Sequence, residues 1–184
     1  MAESGRSDAR RNRERLLQVA AAAYAAGDGV PSLEAIARSA GVGIGTLYRH
    51  FPTREALVEA VYRAELADVV AAAAALLQRH PPAVALRRWL GRYADFVAAK
   101  TGMAESLRAI VDNGTVQAGD TRANLTGAVE TLLRAGAADG SLRTDIRPDD
   151  VVCSMVGIVL ASSSTAQARR MFGLLVDGIV TKRD

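Results

Sequence analysis

The sequence predicts an all-α protein of about nine helices, with a three-helix head followed by a larger helical domain. Three observations lead there. Hydrophobic residues make up 49% of the 184, but many are alanine, the strongest helix former, and strand-favouring aromatics are only 4%. Apolar residues recur at helical rather than alternating spacing. Breaks containing glycine or proline separate the stripes. Charged residues are 23%, ordinary for a globular chain, and the net charge of +3 permits a nucleic-acid partner without requiring one.

The elements follow in order. A first helix is expected from about Asp8 to Ala26, with Leu17, Ala20, Ala21 and Tyr24 as its stripe, ended by Gly27-Asp28-Gly29. Arg6, Arg10, Arg11, Arg13 and Arg15 cluster at its start against only Asp8 and Glu14; they suit either a solvated arm or a basic contact surface. Arg10-Arg11 before "LLQVAAAAYAA" has the outline of an export signal. Glu14 and Gln18 interrupt it, and the helical stripe favours an amphipathic helix. Ser32 is placed to cap a short second helix, "LEAIARSA", whose stripe is Leu33, Ile36 and Ala37 and whose stop is Gly41. A third short helix spans Ile44 to His50. Pro52 breaks the chain and Thr53 caps a long helix from Arg54 to about Arg79, with Leu57, Val61 and Ala64 inward.

His80-Pro81-Pro82 interrupts the chain again. A helix from about Ala83 to Lys100 carries Leu86, Leu90, Tyr93 and Val97, and one from about Met103 to Asp112 carries Leu107, Ile110 and Val111. "NGTVQAGD" reads as a polar loop. Three more helices follow: about Thr121 to Ala138, Asp149 to Ser163 with Pro148 at its first turn, and Ala166 to Lys182. The domain boundary is expected inside the long helix, giving domains 1–62 and 63–184.

The stretch "SLEAIARSAGVGIGTLYRHF" has the parts of a helix-turn-helix. Ala37 is small where two helices meet, Gly41 allows the tight turn, Val42 plugs the angle and Leu47 packs inward. Such a unit offers the start of its second helix to a DNA major groove. Gly43 and Gly45 leave that backbone open, and Thr46 carries a hydroxyl and a methyl suited to a base edge. Tyr48 and His50 can hydrogen-bond phosphates, Arg49 adds charge, and Arg54 could clamp the backbone from the next helix, whereas Phe51 is a core anchor. The expected DNA-contacting set is Arg11, Ser32, Val42, Gly43, Gly45, Thr46, Tyr48, Arg49, His50 and Arg54. "GVGIG" has the outline of a dinucleotide loop but lacks the preceding strand and the βαβ setting.

The run "IARSAGVGIGTLYRHFPTREALVEAV" resembles the TetR family of transcriptional regulators, and "AADGSLRTDIRPDDV" resembles that family's entry into its last two helices; the C-terminal part is most similar to SbtR-like domains. Gly43 stands where the family often has serine, and Arg54 where it usually has lysine. The resemblance implies an N-terminal DNA-binding domain and a C-terminal ligand-binding and dimerisation domain. It also implies a homodimeric repressor released from a palindromic operator by a small apolar effector.

The residues offer a physical reason for pairing. Apolar side chains cover most of the last two helices, more than one monomer core needs, and Val152, Val156, Val159, Leu160, Phe172, Leu175, Val176 and Ile179 form the expected dimer face. The alternative is that both helices are buried within one subunit. The regulatory cavity is expected among Trp89, Tyr93, Phe96, Met103, Leu107, Ile110, Val111 and Met155, with Asp112, Asn113 and Asn124 as polar candidates; rings and methionines at this spacing also suit plain core.

Cys153, the single cysteine, lies in an apolar run and is expected to be buried and inert. No metal-ligand grouping, nucleophile–base pair or phosphate loop supports an enzyme, and no cofactor is expected. No apolar run approaches the roughly 20 residues of a membrane span, so the expectation is a cytoplasmic protein whose partners are duplex DNA, a second copy and an effector.

Overall fold

The computed structural model describes residues 2–26, 30–103, 106–107, 110 and 118–181. Among them are eight α-helices: α1 (Ala2–Ala25), α2 (Leu33–Ser39), α3 (Ile44–His50), α4 (Arg54–Leu77), α5 (Pro82–Ala99), α6 (Ala118–Ala138), α7 (Pro148–Ala161) and α8 (Thr165–Ile179). A 3-10 turn, Lys100–Met103, follows α5. The helix starts are set by residues already legible in the chain. Ser32 Oγ accepts from the Ala35 amide at 3.1 Å and Thr53 Oγ1 from the Ala56 amide at 3.1 Å, each satisfying one of the donors a helix start leaves open. Pro82 and Pro148 occupy first helical positions, where no amide hydrogen is needed.

Three boundaries differ from expectation. Helix α1 begins at Ala2 rather than near Asp8, so the arginine cluster is helical rather than a loose arm. Helix α6 starts at Ala118, inside the stretch expected as polar loop. Helix α8 stops at Ile179 because the next residues take other partners. Val180 forms an isolated antiparallel bridge with Leu142, the Arg143 amide donates to Ile179 O at 2.9 Å and the Thr181 amide to Ser141 O at 3.0 Å. The helix expected to run to Asp112 falls largely outside the described residues.

The chain forms two compact units. The first contains residues 1–65 and 99–116, the second 66–98 and 117–184. The first division lies inside α4 after residue 65, and the segment after α5 belongs to the first unit. The first unit is centred on Leu16, Ala20 and Tyr24 of α1, Ile36 of α2, Leu47 of α3, Phe51, and Leu57, Val58 and Val61 of α4, joined by Met103 and Ile110. Lys100 lies at its edge with its ammonium 4.5 Å from the Tyr62 ring centroid. Burial pushes the Lys100 ammonium down to about 8, against the opposing pull of Glu65.

In the second unit α6 packs on α7 and α7 on α8. Trp89 of α5 is buried and its indole donates to Val69 O of α4 at 2.8 Å, so the ring's only polar group is satisfied. Tyr93 stacks against Trp89 with centroids 6.4 Å apart and meets Phe172 of α8 edge-on at 6.1 Å. Ion pairs Arg87–Asp177 and Arg169–Asp95 also tie α5 to α8. Gly136 of α6 is required by proximity. A Cβ there would lie 2.2 Å from Leu142 Cγ, and Leu142 is itself buried.

Candidate nucleic-acid interface

The turn between α2 and α3 is built by backbone bonds that a particular glycine makes possible. Gly41 has φ +67°, in the left-handed region that other residues adopt only with strain. Its amide donates to Arg38 O at 3.0 Å and the Val42 amide donates to Ala37 O at 3.0 Å, the paired bonds of a Schellman ending. Val42 then tucks half-buried against the first unit's core. Arg15 of α1 reaches the same turn, its guanidinium 3.4 Å from Ala40 O. The turn is thus pinned from inside by Val42 and from α1 by Arg15.

That fixes the orientation of α3. Leu47 and the following Phe51 are buried, so the opposite side of a seven-residue helix must face outward. Tyr48 is 45% exposed, Arg49 is exposed, and Thr46 and His50 are half-buried. Gly43 caps the helix start with extended backbone and no side-chain bond, and a Cβ at Gly43 or Gly45 would meet no atom within 4 Å. These glycines are therefore not demanded by packing. They leave a bare stretch of backbone on the surface that also carries Thr46, Tyr48 and Arg49.

The remaining residues of the expected set also make contacts within the first unit. Arg54 turns back into the protein: one guanidinium nitrogen is 2.8 Å from Pro31 O and 3.3 Å from Tyr24 Oη, bracing the start of α4 to the end of α1 and the entry to α2. Ser32 is exposed and spends its hydroxyl oxygen on the α2 cap. Arg11 is exposed on α1 and pairs with Asp8 and Ser7 one turn earlier. His50 faces partly sideways, its ring 6.2 Å from that of Phe51. Sequence reading missed Arg13, whose guanidinium lies 5.2 Å over the Phe51 ring, and the brace made by Arg15. The arginine cluster was the available signal, but spacing along one helix does not say which arginine turns toward α3.

Of the expected dimer face, Val156 and Leu160 are exposed, and four members need correction. Val152, Phe172, Val176 and Ile179 are buried inside the second unit and have no surface left for a partner. Val159 and Leu175 are half-buried. The apolar surface belongs to Val156 and Leu160 of α7, with Met171 and Leu174 of α8; Leu160 is 81% and Leu174 67% exposed. Cys153, expected inside, is exposed. The helix rotation that buries Val151, Val152 and Met155 carries residue 153 outward.

The expected cavity residues do not share one unit. Trp89, Tyr93, Phe96 and Met155 are buried in the second. Met103 and Ile110 pack in the core of the first, with Leu107 against it, beside α1 and α4. Val111, Asp112 and Asn113 lie outside the described residues. Among those described, no cluster of histidine, cysteine or carboxylate side chains could hold a metal, and no helix is long and apolar enough to cross a membrane.

Residues 18–61 match the family model for bacterial regulatory proteins of the tetR family, and residues 81–181 match the C-terminal domain of SbtR-like transcriptional regulators. A TetR transcriptional regulator from Streptomyces coelicolor is 44% identical, covering 93% of this chain and 99% of its own, with a TM-score of 0.81. A TetR regulator from Mycobacterium vanbaalenii is 34% identical over 96% of this chain and 99% of its own, with a TM-score of 0.73. A transcriptional regulator from Cytophaga hutchinsonii shares the fold at 15% identity, TM-score 0.68, covering 91% of this chain and 98% of its own. No curated protein matches the sequence. With both of its parts matched in order and near full-length likeness to solved regulators, the chain belongs to the TetR family, as a DNA-binding transcriptional regulator rather than an enzyme.

Proposed function

We propose that the protein is a homodimeric repressor that grips a palindromic operator and releases it when a small apolar effector enters the second unit, all within the cytoplasm. The observation that carries the two-fold reading is the exposed apolar surface of Val156, Leu160, Met171 and Leu174. Large aliphatic side chains grouped on adjacent helices lose free energy while they face water, roughly 25 cal/mol for each Å² left uncovered. A second copy presenting the same surface would cover them, giving a four-helix contact with two helices from each chain.

Pairing gives the recognition surface its specificity. One seven-residue helix reaches few bases, whereas two heads spaced about one duplex turn, roughly 34–36 Å, read both halves of a palindrome. Thr46 is assigned to base edges, and Tyr48, Arg49 and His50 to phosphates, with Gly43 and Gly45 allowing close backbone approach. Arg54 and Ser32 support the head from behind rather than touching DNA. Switching would run through α4, a continuous helix whose first part belongs to the head and whose remainder belongs to the second unit. An effector binding beside Trp89, Tyr93 and Phe96 would favour one setting of that helix. Operator and effector must then weaken each other by the same factor.

Sedimentation velocity tests the pairing. The parent chain should sediment at twice the mass of one chain, and Leu160→Glu with Leu174→Glu at the mass of one. The double variant should also lose roughly a hundredfold or more in operator affinity, since two linked heads gain that much over one. A parent that stays single, or a double variant that stays paired, refutes the assignment. Trp89 is the chain's single tryptophan, so quenching of its fluorescence reports an effector entering the second unit.

A further inference from the structure

We infer that the first unit carries a second small-molecule site, a groove that takes a small aromatic carboxylate beside the recognition helix. The groove has a volume of about 460 Å³ and lies between α1, the end of α3 and the first turns of α4. That volume falls in the range of small-ligand pockets. All its walls come from the first unit. Leu17, Phe51, Ala56, Ala60 and Ala64 supply an apolar floor, and Arg13, His50, Arg63 and Glu59 form the rim.

The residue types select the ligand. Three small alanines on one face of α4 leave room where larger side chains would fill the space. The two rim guanidiniums outnumber the single carboxylate of Glu59, which already pairs with Arg63 at 2.9 Å. The local charge is therefore positive even with His50 neutral, which favours an anion. The Arg13 guanidinium lies over the Phe51 ring at 5.2 Å, and the His50 ring is tilted against the same ring at 6.2 Å. These are planar groups against which a flat ring can stack, while a guanidinium receives the carboxylate as a charge-assisted pair. A neutral apolar molecule would gain nothing from the Arg13 guanidinium, and a multiply charged phosphate would gain little from the floor.

His50 belongs both to this groove and to the surface assigned to DNA. A bound carboxylate that draws the imidazole into the groove competes with its phosphate contact, so the ligand and a duplex would oppose each other. That consequence rests on the reading of the protein as an operator-binding repressor; the binding itself does not.

Naphthalene-2-carboxylate is the probe, titrated by calorimetry into the full chain without DNA, with naphthalene-2-methanol as its neutral counterpart. The expected result is saturable binding of the carboxylate and at least tenfold weaker binding of the alcohol. Arg13→Gln and Arg63→Gln, both exposed and so compatible with folding, should each weaken the carboxylate at least fivefold and leave the alcohol unchanged. Glu59→Gln should tighten the carboxylate, an outcome that damage to the fold would not produce. Ala60→Phe should abolish binding of both probes. No saturable heat, equal affinity for the two probes, or indifference to both arginine variants would overturn the site. If these tests hold but the probe does not compete with duplex DNA, the groove stands and the link to repression through His50 falls.

Discussion

The α2–α3 turn and the α7–α8 pair are the two surfaces to which we assign partners, and they announce themselves in opposite ways. The turn is written in contrasts: glycine beside bulky apolar residues, then hydroxyl, ring and cation within one helix. Gly41 is required by its φ of +67°, while Gly43 and Gly45 have open space where a side chain would stand. Of the three glycines in this short run, one is demanded by backbone conformation and two are not demanded by packing. The α7–α8 pair is written almost entirely in aliphatic residues. Nothing in residue type separates Phe172, which meets Tyr93 in the core, from Leu174, which faces water two positions later. A polar surface can be read from what its residues are; an apolar one only from which way they point.

Substitutions sharpen that contrast. The largest effect should come from Phe172→Ala, about 3–5 kcal/mol of lost stability in denaturant titration, because it empties a buried aromatic site. Leu174→Ala, two residues away, should stay within about 0.5 kcal/mol for the single chain and act on pairing instead. Similar losses for both in a chain held unpaired would erase the distinction between core and interface.

The glycines of the turn divide more finely. Gly41→Ala should destabilise by about 1–2 kcal/mol, since alanine must be forced into the left-handed region. Gly45→Ala should stabilise by up to about 1 kcal/mol, since it replaces glycine in the first turn of α3 without a clash. It should also weaken duplex binding by about tenfold if the bare backbone approaches phosphate. Thermal melting checks the first pair of signs and a binding titration the last. A Gly45→Ala variant that is more stable and binds unchanged would remove the reason given for that glycine.

A pH-dependent effect concerns Lys100, at the edge of the first unit's core. Its folded value near 8 lies below the ordinary 10.5, so between those values the unfolded chain holds more protons and stability rises with pH. Lys100→Met removes this contribution. The variant should exceed the parent most at and below pH 8 and converge toward it by about pH 10.5. A stability difference that is flat across that window would mean the lysine is fully hydrated.

How much was legible follows the same physics. Caps at Ser32 and Thr53, proline starts at Pro82 and Pro148 and the turn at Gly41 are local effects, and local sequence carries them. That Leu47 and Phe51 turn inward while Tyr48 and Arg49 face outward was legible because apolar anchors and polar side chains alternate sharply within a few residues. The segment holding Met103 and Ile110 was not. Its apolar spacing marks a buried face but not the unit that buries it, and it packs with α1 and α4 rather than joining Trp89 and Tyr93. Arg54 shows a related limit. Its charge suggested an outward contact, but Pro31 O and Tyr24 Oη, distant in sequence, hold it inward. The bridge between Leu142 and Val180 joins segments with no shared pattern.

The central claim is that the α3 surface reads DNA and that the α7–α8 surface presents it twice. Selection of bound duplexes from a random pool, using parent chain and Thr46→Ala in parallel, tests both halves together. The expected result is an inverted repeat with half-sites one duplex turn or a multiple of it apart, and a changed preference at the same position of each half-site in the variant. Enrichment of a single unrepeated site, or identical preferences for the two proteins, would contradict it.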